Sequence, residues 1–530
     1  MKRREFIRTS AALGLAGVTG PLPARSAEGR FDVHPFVREH PEAVFIRYTS
    51  VKEKTDTAAV REAGYRLSKE IIVPSKTGWP LSAKVNVKPN WTSAGPRDGH
   101  PVVEKLGINT DPNFTEGWVV AMKELGPKNF FIRESCCPSQ WEPMGWAAMS
   151  ARNDIDLRDR STMHVWDLKK GEDVIFHEVP KGVVFREIGY QGPMNEKGSC
   201  LINMAKLKAH GMGITASVKN LQGITARRFH QFCTRYDRIR KEYEPQYHGY
   251  FQKDLEKHIE ELHAKHLKEG YPRWDRPGGD GGIWQETWVN RALDNLSIIP
   301  TALNMVEGIY SQDGDGFGTG PHEKLGKYKV TSRDYMSNVV IFGKDPIRVD
   351  IIAHWIAGHE PGNFGLFHIG IERGLSNVLD PHDIPLYEWK DGRAAQIALD
   401  TVPRTPLVTY YLQRDYNGQN EPRYHLCNEP FDYSAWKKGK RVGDCTPKLR
   451  NLGLDGAGRV NLSITVPERG PVGVTVLNSR GEVVGRLLDG DLDAGVHHVV
   501  WDNFASPGLY TAYVKGMGWN AVQGVPILPA

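Results

Sequence analysis

Apolar positions recur along this chain with two different periods, and the change from one to the other divides it. Residues 58–69 carry helical spacing. Between Trp79 and Trp91 the stretch LSAKVNVKPN alternates, with Val85 and Val87 set among polar neighbours, as a strand does. A Gly- and Pro-rich loop over 94–111 leads to a helical pattern over 113–125. Gly126-Pro127 ends that helix, and Asn129 to Arg133 reads as a buried strand. Strand, loop, helix and strand in that order are the parts of a βαβ unit. Short strands at 174–176 and 182–188 suggest a hairpin, and 200–204 is a further apolar strand. Helical periods return at 250–270, 284–296 and 346–357, with an apolar run at 298–306 and a strand at 338–342. From about 456 the period is two throughout. Strands are expected at 460–466, 472–477, 483–488, 496–501 and 509–514, separated by Gly-rich turns.

This pattern predicts an α/β main domain over 28–401 with a helical insertion at about 228–295. A linker over 402–455, an all-β sandwich over 456–517 and a tail over 518–530 follow. A chain of 530 residues with 40% hydrophobic and 25% charged residues is globular and can bury its own core. No apolar run approaches the ~20 residues needed to cross a bilayer. Six cysteines exclude a disulfide scaffold.

The formal charge of +5 changes meaning when located. The first 27 residues carry Lys2, Arg3, Arg4, Arg8 and Arg25 against Glu5, so they account for four of the five positive charges. The paired Arg3-Arg4, then Phe6-Ile7, the small-residue run from Ala11 to Val18 and Pro21-Leu22-Pro23 resemble a twin-arginine export signal. Export to the periplasm is the expectation. The remaining chain is nearly neutral, which removes the main argument for a nucleic-acid partner, and no transmembrane span is expected once the signal is gone.

The richest stretch for chemistry runs from Leu201 to Thr225. An apolar strand delivers Lys206, Lys208 and His210. Gly211-Met-Gly213, Thr215, Ser217, Lys219-Asn220 and Gly223 follow. Strand ends that feed glycine loops and helix starts are where α/β folds place ligands. Glycines let backbone N–H groups approach an anion, and lysines and a histidine beside them would hold a phosphate, a carboxylate or an anionic cofactor. Solvated lysines on a simple turn are the alternative.

Lys208-Ala-His210, Thr215 and Lys219-Asn220 with Gly223 also resemble a family signature, that of the domain of unknown function 362. Val87-Lys88-Pro89-Asn90 with Gly107-Ile-Asn-Thr110-Asp-Pro112 is similar to its opening strand and Thr-Pro loop. Val306-Glu307-Gly308-Ile309 is similar to a later segment, with Glu307 where Asp is usual. Gly343-Lys-Asp345-Pro346, Asp350 and Gly358 are similar to its closing helix. The resemblance covers about 84–375. It implies a cleft in which Lys208, His210 and Lys219 contact the ligand, with Asn90, Thr110, Thr215 and Asn220 lining it. Glu134, at the end of the strand over 129–133, is placed to line it too, as a ligand or an acid. The family is often fused to iron–sulfur modules. This chain has no C-x-x-C, so a built-in ferredoxin-type cluster is not expected. A His–Gly-loop–Lys order similar to that of lactate racemase points to a transition metal or metal-containing cofactor, with His210 as a metal ligand or general acid/base and Lys208 and Lys219 as catalytic partners.

Other candidates read more plainly. Asp345 is a good N-cap with Pro346 at the first helical position, and Asp350 shares a helix face with His354. The loop from Asp313 resembles the start of a calcium loop but has Lys324 at the twelfth position. Cys136-Cys137 follow a strand end, as a soft-metal or redox pair or as inert loop residues. Cys427 and Cys445 could pair after export. His258, His263 and His266 lack metal-ligand spacing and read as a solvated helix face.

The C-terminal strands, with Trp501-Asp502 and Gly508-Leu-Tyr510, resemble the immunoglobulin-like domain of flagellar hook-capping type. Such modules act as spacers or as attachment surfaces. Two functions therefore stand: a cofactor-, metal- or anion-binding enzyme, or a non-catalytic binding protein whose β-sandwich meets a cell-envelope partner.

Overall fold

The computed structural model describes residues 29–91, 107–135, 141–158, 169–210, 213–226, 249–272, 282–313, 334–407, 431–438, 448–454, 459–466, 469–493, 495–502, 506–516 and 519–527. The signal segment, Cys136-Cys137, the loop after Asp313, Cys427 and Cys445 lie outside them.

Eleven strands build the central sheet. They are β1 (Val44–Tyr48), β2 (Lys84–Pro89), β3 (Asn129–Arg133), β4 (Ile155–Arg158), β5 (Cys200–His210), β6 (Gly213–Thr215), β7 (Leu303–Gln312), β8 (Asp334–Tyr335), β9 (Val339–Gly343), β10 (Leu386–Lys390) and β11 (Arg393–Gln396). Their order is β11-β10-β1-β9-β7-β5-β2-β3-β4, with β6 folded back on β5 and β8 on β7. Strands β7, β5, β2, β3 and β4 run parallel, so all five deliver their carboxyl ends to one edge. Strand β9 runs against both β7 and β1.

A parallel strand buried on both faces needs cover from two layers of helices. On one face Val85, Val87, Ile202 and Met204 pack with Val60, Leu67, Phe114 and Trp118 of α1 (Thr57–Ile71) and α2 (Pro112–Glu124). On the other, Ala205, Leu207 and Ala209 pack with three helices. These are α5 (Ile283–Leu296), α6 (Pro346–Ile356) and α7 (Gly365–Glu372), which contribute residues such as Trp288, Ile347 and Phe367. Between α2 and α5 in sequence come α3 (Ser217–Asn220) and α4 (Leu255–Lys268). The expected short strands form a hairpin, Val174–Glu178 with Glu187–Gln191, three to five residues later on the second arm than their pattern suggests. The strand expected over 200–204 runs on to His210, because Lys206 is paired with Glu307 on the neighbouring strand and the ladder continues past it.

The C-terminal strands form two antiparallel sheets. One pairs β12 (Lys448–Leu454), β13 (Val460–Val466) and β16 (Gly495–Trp501). The other has the order β15-β14-β17-β18, from β14 (Gly470–Leu477), β15 (Val483–Leu492), β17 (Gly508–Gly516) and β18 (Trp519–Ile527). Both sheets feed one buried cluster that includes Leu462, Val474, Trp501 and Tyr510. Strands β12 and β18 add to the five read from the pattern. Strand β18 carries Gly524 and Pro526, which a sheet edge tolerates. Among the described residues, no helix is long and apolar enough to cross a membrane.

Candidate functional site

Strand β5 carries ammonium groups into the interior at its carboxyl end. Lys206 and Lys208 are both fully buried. A buried charge is costly unless paired, and Lys206 is paired. Its Nζ lies 2.7 Å from Glu307 Oε2, with neither side chain exposed. The same ammonium sits 4.0 Å from the centre of the Tyr310 ring. Glu307 also accepts from Ile309 N at 2.9 Å, and the Tyr310 hydroxyl donates to Asp111. Burial pushes the Glu307 carboxyl up and the Lys206 ammonium down, each opposed by the other partner. Lys208 stands opposite Thr215 on β6 and Gln312 on β7. Thr215 is fully buried, and its Oγ1 has no hydrogen-bond partner among the described residues.

A second buried ion pair lies beside β2. Lys88 bonds Glu134, which directly follows β3, and both are buried. Burial pushes the Glu134 carboxyl up, against the lowering by Lys88. Asn220 binds this pair to the sheet. Its Oδ1 accepts from Lys88 Nζ at 3.0 Å and Asn90 Nδ2 at 3.1 Å. Its Nδ2 donates to Lys88 O at 3.1 Å and Asn203 Oδ1 at 2.8 Å. Asn90 N donates to Thr110 Oγ1 at 2.8 Å, which in turn donates to Met204 O at 2.8 Å. Gly223 has a steric reason here: a Cβ would stand 2.2 Å from Glu134 Oε1 and 2.6 Å from Lys88 Cε.

Helix α3 carries Lys219 and Asn220 and starts at Ala216, which offers no capping side chain. Asp350 of α6 supplies the cap from elsewhere. Its Oδ1 accepts from Ser217 N at 2.6 Å and its Oδ2 from Val218 N at 3.0 Å. The acid is satisfied, but across the fold rather than along its own helix. Burial pushes its carboxyl up to about 7, although both amides oppose this. Asp345 caps α6 through Ile347 N at 2.8 Å, as its sequence position implied. Gly213 has φ +109°, and a Cβ there would meet the Phe364 ring at 2.3 Å.

The fold thus joins Asn90, Thr110, Glu134 and Asn220 in one network. It sets Lys208 opposite Thr215 on the hairpin between β5 and β6, and leaves Lys219 half-buried on α3. His210 ends β5 opposite Gly213, and its side chain lies outside the described residues. The sequence reading missed Asn203 and the partnership of Lys206 with Glu307. An Asn inside an apolar strand was the available signal for the first. Cys200, at the amino end of β5, is fully buried and its thiol is pushed up by burial, so it offers no ligand to this edge.

Two of the three helix histidines correct the solvated reading. His258 is exposed, but His263 and His266 of α4 are buried. His266 Nδ1 lies 2.8 Å from Glu286 Oε2 and its Nε2 2.8 Å from Glu372 Oε2. Burial alone would lower this imidazole, but the two carboxylates outweigh it and raise it to about 9. The hydrogen bond from His266 leads the effects that hold Glu372 down at about 2. One ligand atom each from His266, Glu269 and Glu372 fall within 4.8 Å of one another. Lys265 already bonds Glu372, so a cation there would compete with it and with the proton on His266. The helix face is buried because α5 and α7 bring carboxylates to it, which the spacing on α4 alone does not reveal.

These features define an α/β protein with buried lysine–carboxylate pairs and a Lys-Asn turn gathered at the carboxyl edge of a mostly parallel sheet. The chain belongs to the family described as domain of unknown function 362 (DUF362), whose model matches residues 85–354. A search of curated proteins finds no match to the chain.

Proposed function

We propose that the chain is an exported enzyme that binds an anionic ligand or cofactor at the carboxyl edge of the central sheet. Lys208, His210 and Lys219 contact the ligand, and Asn90, Thr110 and Thr215 line its site. One observation carries the reading. Adjacent parallel strands bring Lys88, Lys206 and Lys208 into the interior at the same edge, where Asn90 Oδ1 and Thr215 Oγ1 are buried without hydrogen-bond partners among the described residues. Buried polar atoms are nearly always satisfied, so orphaned ones beside buried cations suit a bound polar group. The described donors here are amine, amide, hydroxyl and carboxylate. A transition metal or metal-containing cofactor would rest on His210.

Titrating inorganic phosphate into the full chain, with metal analysis and an absorption spectrum of protein recovered from the cytoplasm, tests the reading. Saturable phosphate binding, or a stoichiometric transition metal, that is lost in Lys219→Ala and His210→Ala is expected. A chain that binds neither overturns it. Residues 1–27 act as the twin-arginine signal in this proposal, and replacing both Arg3 and Arg4 by Lys should leave the chain in the cytoplasmic fraction.

The second reading is a non-catalytic binding protein of the cell envelope, attached through an immunoglobulin-like C-terminal module. It is favoured by the four-stranded C-terminal sheet, which exposes Val483, Val484, Leu509 and Val522 to solvent. Loss of envelope association on deleting residues 448–527, in a chain free of metal and phosphate binding, would select it.

A further inference from the structure

Lys219 is the one residue of α3 that is not buried; Ser217, Val218 and Asn220 are. A four-residue helix has no stability of its own in water, so something else must hold this one. Both of its ends are tied. At the carboxyl end the Asn220 side chain makes four hydrogen bonds, to Lys88 (two), Asn90 and Asn203. At the amino end the first two amides point at one carboxylate, that of Asp350, at 2.6 and 3.0 Å. Asp350 belongs to α6, 133 residues away from Ser217 along the chain. It is 3% exposed. The backbone carbonyl of Asp350 is engaged as well, 2.7 Å from His354 Nδ1. Asp345 at the start of α6 stabilises that helix through Ile347 and Arg348 N–H groups, so the carboxylate is presented from a fixed platform.

We propose that Asp350 is a positioning residue for Lys219: by capping α3 from a separate helix it fixes where the Lys219 ammonium is presented, without touching the ligand itself. This rests on the anion-site reading above. It assigns the acid of the closing helix a role that the residues around it in sequence do not suggest, since its partners lie on another element. Above its raised value of about 7 the Asp350 carboxylate is ionised, and an ionised carboxylate with two amide donors is the strong form of a cap. An amide at the same position can accept only one of them, and its NH2 group opposes the other.

The test combines amide hydrogen exchange with phosphate titration on the full chain. In Asp350→Asn and Asp350→Ala, the Ser217 and Val218 amides should lose protection while those of β5 keep theirs. Phosphate affinity should fall about tenfold in Asp350→Ala, as expected for lost charge-assisted bonds, and by less in Asp350→Asn. In a Lys219→Ala background, Asp350→Ala should cost nothing further, because its effect passes through Lys219. A simple loss of folding would instead remove protection in β5. Unchanged exchange at Ser217 and Val218 overturns the proposal, and so does a loss of affinity that adds in full to that of Lys219→Ala. Wild-type chain that binds no phosphate, with exchange still dependent on Asp350, overturns the anion site first and leaves Asp350 a cap with no ligand to serve.

Discussion

Lys206 and Glu307 face each other at 2.7 Å on neighbouring parallel strands, with no solvent reaching either side chain. A pair of this kind is costly to halve and cheap to remove whole. Glu307→Ala should therefore lower stability by about 3–5 kcal/mol in denaturant unfolding. The double change Lys206→Met with Glu307→Leu should recover most of that loss. Equal losses in the single and double variants would show that the ionic character is irrelevant.

Gly223 abuts the other buried pair. A methyl group at this position falls on Glu134 Oε1 and Lys88 Cε, and two buried, bonded side chains cannot both yield. Gly223→Ala is expected to cost about 1–3 kcal/mol by overpacking. It should also weaken phosphate binding, since Asn220 and Asn90 share the Lys88 network. A thermal melt with a parallel titration checks both.

Thr215 behaves in the opposite sense. Its hydroxyl is buried with no partner among the described residues, so Thr215→Val gives up no protein hydrogen bond and sheds a desolvated polar group. Stability should change by less than about 1 kcal/mol or rise. Phosphate affinity should fall. Unchanged affinity would mean that the hydroxyl faces no ligand.

His266 ties stability to alkaline pH. Its imidazole, held at about 9 by Glu286 and Glu372, lies above the ordinary histidine value of 6.5. A raised value stabilises the fold in full below pH 6.5, and that stability is lost as pH rises through 9. The contribution is at most about 3–4 kcal/mol, from 1.36 kcal/mol per unit. Unfolding free energy measured from pH 6 to 10 should decline across this window, and the decline should flatten in His266→Gln. Glu372 acts at the acid end: held at about 2, it stabilises above pH 4.5 and loses that effect as pH falls through 2.

Much of the framework could be read from the chain. Periodicity located α1, α2, β2, β3, α5, β9 and α6 to within a few residues, because each buries a face whose spacing is a local property. The Lys208 to Gly223 pattern marked the stretch that folds into a hairpin and a capped turn. Asn90, Thr110 and Asn220 could be picked out because their residue types and order form a recognisable motif, and the fold joins them in one hydrogen-bond network.

What that motif could not determine is who neutralises whom. Lys206 meets Glu307 across 101 residues, and Ser217 meets Asp350 across 133. Such partners are set by strand order and by which helix covers which face. A local pattern reports that a face is buried but not what lies opposite. The same limit made His263 and His266 look solvated: a charged helix face is polar in sequence whether water or buried carboxylates satisfy it. The sequence alone determined the elements and the residue types that reach the carboxyl edge. The tertiary structure decided which of those charges are sealed in pairs and left Lys219 half-exposed, because only packing removes water and so makes each buried charge find a partner.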